Sequence, residues 1–392
     1  MNAAQPQPQS KPKDFVFLPR NRVFQAGPPG HYAVRYYSSP GNVLRNFAIR
    51  RTNFHKEHKR KNEDECLDSL SYYSACFRSA RFREELEALS ADIFCLQEVQ
   101  KEHFDVFFQP LLKELGFDGR YEQKTQGMRD GCALFFRRSV FQMLDYRRVD
   151  MFFSEDSTLD KPNVGQLLRL RHIHTKKELC VANTHLVFNK KFGARKFVQM
   201  ALLLAHLHDF VQKGRPAEYL LCGDLNIEAF SDIYRFVVEA KLDLVKCVAV
   251  LMSGQGETVK TTPSPPELSI PKKAALKQDC SLAKKDEKIE YEGTEWRHQM
   301  HFASAYNHVR PDGTHDLSTF HSQEGLNPDF VFYSVASTRL HNNVLQVQEA
   351  GLRLLRRLDL PDISEANAVF GPWPHEFTPS DHVPLLVDFA LV

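Results

Sequence analysis

The chain has 392 residues, 42% of them hydrophobic, 26% charged and 11% aromatic, with 51 Lys+Arg against 49 Asp+Glu for a net charge of +2. That is the composition of a globular protein with enough apolar residues for a large core. No run approaches the roughly 18 to 20 apolar residues of a spanning helix, and the opening MNAAQPQPQSKPK lacks the apolar stretch of a secretory signal, which speaks against membrane-spanning and secreted classes and for an intracellular, first of all cytoplasmic, protein with no membrane partner.

The charge is unevenly spread. Residues 1–62 hold 12 Lys+Arg and only two acids, Asp14 and Glu57, a local charge of +10, which leaves 39 basic and 47 acidic residues, or −8, for 63–392. The expectation is a basic, partly disordered arm over 1–62, rich in Gln, Pro and Ser at its start and ending in HKEHKRK, joined to a mildly acidic body over 63–392. Arg and Lys interleaved with Phe15, Tyr32, Tyr36 and Tyr37 suit contact with nucleic acid, although basic runs are more often only solvated.

In the body, apolar residues at helical spacing (Leu70, Tyr73, Phe77, Phe82, Leu86, Leu89) predict a helix over 67–89, followed by the strand-like ADIFCLQEV. A second helix is predicted over 101–115, then strands at 132–138, 167–171 and 178–186. A helix over 193–213 leads into the strand EYLLCGD at 218–224, and another helix starts at Ser231. Strands at 329–335 and 383–392 complete the set. Residues 252–298 turn to Ser, Pro, Lys and Glu, too polar to bury, and read as a flexible surface insertion. The eight cysteines are dispersed, without a C-x-x-C pair, and read as reduced, buried thiols.

Polar residues that can do chemistry follow the ends of apolar strands: Glu98 in IFCLQEVQ, Asn183 and His185 in VANTHL, Asp224 and Asn226 in LLCGDLN, Asp329 in PDFVFY, and Asp381 and His382 in TPSDHVPLL. Each alone has a bland reading, as an Asx turn, a solvated acid or a core histidine. The ordered series C-L-Q-E-V, N-T-H-L, C-G-D-L-N, D-F-V-F-Y, S-D-H-V-P-L resembles the motif set of the endonuclease/exonuclease/phosphatase superfamily from about Leu67 to Val392. RDGCALFFR, NVG at 163–165, VANTHLVFN and the long polar insertion are similar to the branch that holds the carbon-catabolite-repressor-type deadenylases, nocturnin and, most closely, the Angel family.

This resemblance implies a four-layer α/β sandwich, two packed mixed β-sheets flanked by helices, with the site at one sheet edge. It implies Glu98 and Asp381 at a Mg²⁺ ion, which Mn²⁺ could replace, Asp224 on the attacking water, Asn226 on the scissile phosphate, His185 and His382 as donors to phosphate oxygens, and Asp329 behind His382. Asn163 and Asp130 match substrate-side positions of the family, and equally match common turn residues. The family's first strand carries an Asn, for which Asn42, in a degenerate strand at 32–48, and Asn53 are the nearest counterparts. The implied activity is Mg²⁺-dependent hydrolysis at RNA 3′ ends, of terminal 2′,3′-cyclic phosphates, with 3′→5′ poly(A) exoribonuclease activity and a catalytically impaired adaptor in mRNA processing as alternatives. A monomer is expected, in contact with RNA and with mRNA-processing or translation-complex proteins.

Overall fold

The computed structural model describes residues 24–26, 43–51 and 75–392, apart from 257–264, 311, 322–323, 342–343, 371–372 and 375–377. Its main elements, in chain order, are β1 (Phe24–Ala26), β2 (Val43–Arg51), α1 (Ala75–Leu89), β3 (Ile93–Gln100), a helical segment α2 over 101–114 with a π-turn at Phe104–Phe108, β4 (Phe117–Gln123), β5 (Asp130–Arg137), β6 (Phe141–Phe152), β7 (Asp160–His172) and β8 (Glu178–His185). There follow α3 (Gly193–Gln212), β9 (Ala217–Asp224), α4 (Asp232–Glu239), β10 (Phe302–Ser304), β11 (Asp329–Ser334), β12 (Leu352–Leu358) and β13 (Leu385–Leu391).

Two sheets result. The first has the strand order β1-β12-β13-β2-β3-β5-β4 and the second β10-β11-β9-β8-β7-β6. Within them β2 runs parallel to β3, and β8 parallel to β9. Strand alternation sends successive side chains to opposite faces, so a strand apolar on both faces belongs between two layers. In β3, Ile93 and Cys95 face a core shared with Val181, Leu220, Val331 and Phe389 of other strands, while Phe94 and Leu96 pack with Phe82 of α1 and Phe108 of α2. In β8, Leu179 and Val181 join the shared core, while Cys180 and Ala182 pack with Leu203 of α3 and Val237 of α4. The order helices, sheet, sheet, helices is therefore the expected four-layer sandwich.

The first strand expected within the arm at 32–48 overlaps Val43–Arg51, which lies between β13 and β3 as a central strand of the first sheet. Asn42, Asn53 and helix residues 67–74 lie outside the described residues. The polar stretch before β10 is not merely a surface excursion: Ala274, Leu276, Cys280 and Trp296 are buried against α3 and α4, because a few apolar residues spaced among many polar ones suffice to dock an extended segment. Strands β4, β6 and β12, absent from the sequence reading, carry charged residues on half-exposed faces that mask their periodicity. Cys95, Cys132, Cys180, Cys222, Cys247 and Cys280 are free and buried, as expected, and no described helix is long and apolar enough to cross a membrane.

The interface between the sheets is not wholly apolar. Gln97 Nε2 donates to Asn183 Oδ1 at 2.7 Å, and Asn183 Nδ2 donates to Gln166 Oε1 at 3.1 Å and to the Ala133 carbonyl at 3.1 Å. Gln166 Nε2 continues to the Tyr146 hydroxyl at 3.0 Å. Gln97, Asn183 and Gln166 are buried, and this polar seam joins β3 and β5 of one sheet to β7 and β8 of the other.

Candidate active site

The strands end together at one edge of this seam. By alternation, residues 183 and 185 of β8 and 222 and 224 of β9 share the inter-sheet face, and the parallel register sets His185 beside Asp224. Antiparallel pairing of β11 with β9 sets Asp329 on the other side of Asp224. Gly223 allows this approach: its φ is +149°, and a Cβ there would overlap the Thr184 carbonyl oxygen.

Glu98 reaches the same place by a different device. Regular alternation would send residue 98 to the helix-covered face, away from Gln97. Instead the β3–β5 register shifts between Gln97 and Val99, and Glu98 adopts φ +56°. A left-handed residue inside a bulge re-aims its side chain. Glu98 Oε1 then lies 3.8 Å from His185 Nδ1, and the opposite ring nitrogen, Nε2, lies 3.6 Å from Asp224 Oδ2.

Asn226 also has a left-handed backbone, φ +51°. Its N–H donates to Asp224 Oδ1 at 3.0 Å, which makes the D-x-N spacing an Asx turn, and its side-chain amide donates to the Leu186 carbonyl at 3.0 Å. The turn fixes the backbone that carries the Asn226 amide.

The second histidine is held tightly. His382 Nδ1 lies 2.6 Å from Asp329 Oδ2, which also accepts from Ser318 Oγ at 2.6 Å. The backbone around it is pinned: Thr319 Oγ1 donates to the Asp381 carbonyl at 2.7 Å, the His382 N–H to Ser380 Oγ at 3.2 Å, and Arg78 Nε of α1 to the Pro379 carbonyl at 2.7 Å. Ser318, Thr319 and Arg78 were not legible as site-supporting residues, since isolated Ser, Thr and Arg carry no spacing signal.

Asn163 and Asp130 are both buried. Asn163 Nδ2 donates to the His185 carbonyl at 2.8 Å, so it supports the β8 end from behind. Asp130 stands opposite Gln100 in the β3–β5 register and pairs with Lys124 Nζ at 2.5 Å. Its carboxylate is thereby engaged at the edge of the first sheet.

Donor atoms of Asp224, Asp329 and His382 lie within 4.8 Å of one another, an acidic and histidine cluster of the kind that can hold a metal ion. Within it the Asp329–His382 contact is already a hydrogen bond, which occupies those two donors. Glu98 and Asp381, the metal ligands expected from the sequence, are buried but are not members of this cluster: Glu98 stands beside His185 and Asp381 precedes His382 in the chain, while the carboxylate oxygens of Asp224 and Asp329 are of the type that fits a hard divalent cation. Beneath the edge, fully buried Lys196 has its pKa pushed down to about 8 by burial, countered by the charges of Asp224 and Glu228. Burial likewise pushes Glu228 up to about 7, against hydrogen bonds that favour its ionised form.

Residues 71–382 match the model of the Endonuclease/Exonuclease/phosphatase family. Protein angel homolog 2 of Danio rerio is 34% identical over 330 residues, which make up 79% of this chain and 57% of that protein, and protein angel homolog 2 of Homo sapiens is 32% identical over 345 residues, 80% of this chain and 63% of that protein. The chain therefore spans about three fifths of the length of these relatives. Among solved structures, ANGEL2, a 2′,3′-cyclic phosphatase, in complex with adenosine-2′,3′-vanadate matches 88% of this chain and 95% of its own with a TM-score of 0.73 and 29% identity. The human Nocturnin catalytic domain shares the fold, with a TM-score of 0.51 and 21% identity over 81% of this chain and 88% of that one. With five ordered motifs converging at the edge of a two-sheet sandwich and a family match over most of its length, this chain belongs to the endonuclease/exonuclease/phosphatase family, with the Angel proteins among its relatives.

Proposed function

We propose that the protein is a Mg²⁺-dependent phosphoesterase that hydrolyses terminal 2′,3′-cyclic phosphates at RNA 3′ ends. The observation that carries this reading is the likeness, over 88% of the chain, to a 2′,3′-cyclic phosphatase bound to a vanadate analogue on adenosine. The residues fit the chemistry. Glu98 and Asp381 would hold the cation, whose charge offsets that of the phosphate when bound. Mn²⁺ satisfies the same oxygen donors.

Asp224 accepts a proton from the attacking water, and the Asn226 amide holds a phosphate oxygen. A new P–O bond forms to the water oxygen while one ester P–O bond to the ribose breaks, and the departing ribose oxygen takes up a proton. Asp329, on Nδ1 of His382, stabilises the doubly protonated ring, which donates from Nε2 to the phosphate as charge builds. His185, between Glu98 and Asp224, donates on the other side. Asn163 and Asp130 act around this centre, Asn163 through the His185 backbone and Asp130 through the rim. The basic segment over 1–62 adds charge attraction for RNA.

The test offers purified protein and Mg²⁺ to two RNAs, one ending in a cyclic phosphate and one oligoadenylated. Loss of the cyclic phosphate with the second RNA intact is the expected result. Shortening of the oligoadenylate alone overturns the proposal in favour of a 3′→5′ exoribonuclease, and inertness toward both favours the adaptor.

A further inference from the structure

Helix α3 enters directly after the loop that follows His185, and its first two turns are unusual for a helix buried among apolar residues. Lys196 and Gln199, three residues apart and so on one helix face, are both fully buried. Lysine is almost never fully buried unless paired, and removing its charge from water costs several kcal/mol. Among the described residues no carboxylate lies within hydrogen-bond distance of its ammonium. It donates instead to two neutral oxygens, the Asn226 carbonyl at 2.7 Å and Gln255 Oε1 at 2.9 Å. A methionine of similar length would fill the space without the desolvation cost, so packing alone does not account for the residue.

The Asn226 backbone explains what the ammonium is for. A left-handed non-glycine residue costs about 1 kcal/mol or more and persists only where its surroundings over-determine it. Three bonds do so: the N–H is tied to Asp224 Oδ1, the side-chain amide to the Leu186 carbonyl, and the carbonyl to Lys196. Without the third, the 226–227 peptide can rotate and take the Asn226 amide with it.

Gln199 does the corresponding work on the neighbouring loop. Its Oε1 accepts from the Val187 N–H at 3.1 Å, and its Nε2 donates to Asn163 Oδ1 at 3.1 Å, which passes the constraint to the His185 carbonyl. The two branches meet where Asn226 bonds Leu186.

We propose that Lys196 and Gln199 are positioning residues, a buried clamp on one helix face that holds the loops after β8 and β9 so that His185 and Asn226 meet the phosphate together. The reading of those two residues as phosphate-binding is the one under Proposed function. The clamp itself is a statement about loop order and is testable separately.

The experiment uses the full chain as parent, K196M, Q199M, N226A and K196M/N226A, with amide hydrogen exchange and steady-state kinetics on the cyclic-phosphate RNA. In K196M, exchange over 224–230 rises while β3 exchanges as in the parent. In Q199M the rise falls over 186–192. K196M lowers kcat about 10-fold or more with KM within about 2-fold, since small misplacement of a reacting group costs up to about 10²-fold. K196M slows the N226A enzyme little further, because the side chain it positions is already gone. Unchanged exchange over 224–230 in K196M overturns the clamp. So does an equal loss of kcat from K196M in both backgrounds, which marks a general packing role. Should K196M not fold, K196Q, which keeps a neutral N–H donor, carries the same comparison. A parent inert toward the RNA counts against the phosphoesterase reading, and the exchange data still decide the clamp.

Discussion

The two histidines of the site sit in opposite kinds of surroundings. Around His382 every described polar contact is close: Asp329 lies 2.6 Å from the ring and Ser318 lies 2.6 Å from the same carboxylate oxygen. Around His185 the carboxylates of Glu98 and Asp224 stand off at 3.8 and 3.6 Å, one toward each ring nitrogen. The first region is assembled in advance, with its imidazole oriented by a bond that needs no ligand. The second is spaced, with acids near enough to attract a cation or a protonated ring but too far to close on one another. The activity proposed above calls for both kinds: a fixed donor for the developing charge, and spaced acids about the other histidine.

Substitution in the opening gives the largest expected effect. Asp224→Ala lowers turnover at least about 10²-fold, as for removal of a positioned base, and leaves the fold intact, as checked by thermal unfolding beside single-turnover kinetics. Equal turnover in mutant and parent would show that the spacing around His185 has no catalytic meaning. In the preassembled region, Asp329→Asn retains the shape and a partner for Ser318 but removes the charge behind His382. Turnover falls about 10-fold, less than for Asp224, because ring orientation survives in part. A loss as large as that of Asp224→Ala would erase the distinction between the regions.

The smallest effect concerns stability beneath the opening. Burial raises the Glu228 carboxyl from its ordinary 4.5 to about 7 in the folded chain. A raised native pKa contributes stability that is fully present below pH 4.5 and is lost as pH rises through about 7. The difference is on the order of 3 kcal/mol. Glu228→Gln removes this dependence, so the mutant gains on the parent as pH climbs from 4.5 to 8 in urea unfolding. The mutant-minus-parent difference isolates Glu228 from His298, whose buried ring, lowered to about 4, takes stability away as pH falls below 6.5. A difference that stays flat with pH would mean that the surroundings of Glu228 are wetter than its burial implies.

Much of this site is legible in the chain because its parts follow apolar strands. The placement of His185, Asp224 and Asp329 at strand ends needs only strand geometry and topology, whereas Asn226 lies past the end of β9 in an Asx turn with φ +51°. Glu98 is different: its sequence position is plain, but alternation assigns it to the wrong face, and only the bulge with φ +56° brings it to His185. Lys196 and Gln199 escaped notice because a Lys in a helix is ordinarily solvated. The signal is present in KFVQMALLLA, where the two are the only polar residues among ten. Trp296 was hidden by its polar neighbours, and the central position of β2 by a basic composition that reads as an arm.

The amide seam of Gln97, Asn183 and Gln166 carries a consequence for how the molecule comes together. Apolar faces of two sheets can slide on one another at small cost, since Leu, Val and Ile fit many neighbours. Buried amides cannot, because a slip of one residue on β3 or β8 strands their N–H and C=O groups in a dry interface. The seam thus works as an alignment key, and Glu98 and His185, two residues of the candidate site, follow closely along the keyed strands. Replacing Asn183 by Leu would leave a core that still collapses but with no penalty for misalignment, so errors of assembly would surface first at the edge where the candidate site lies.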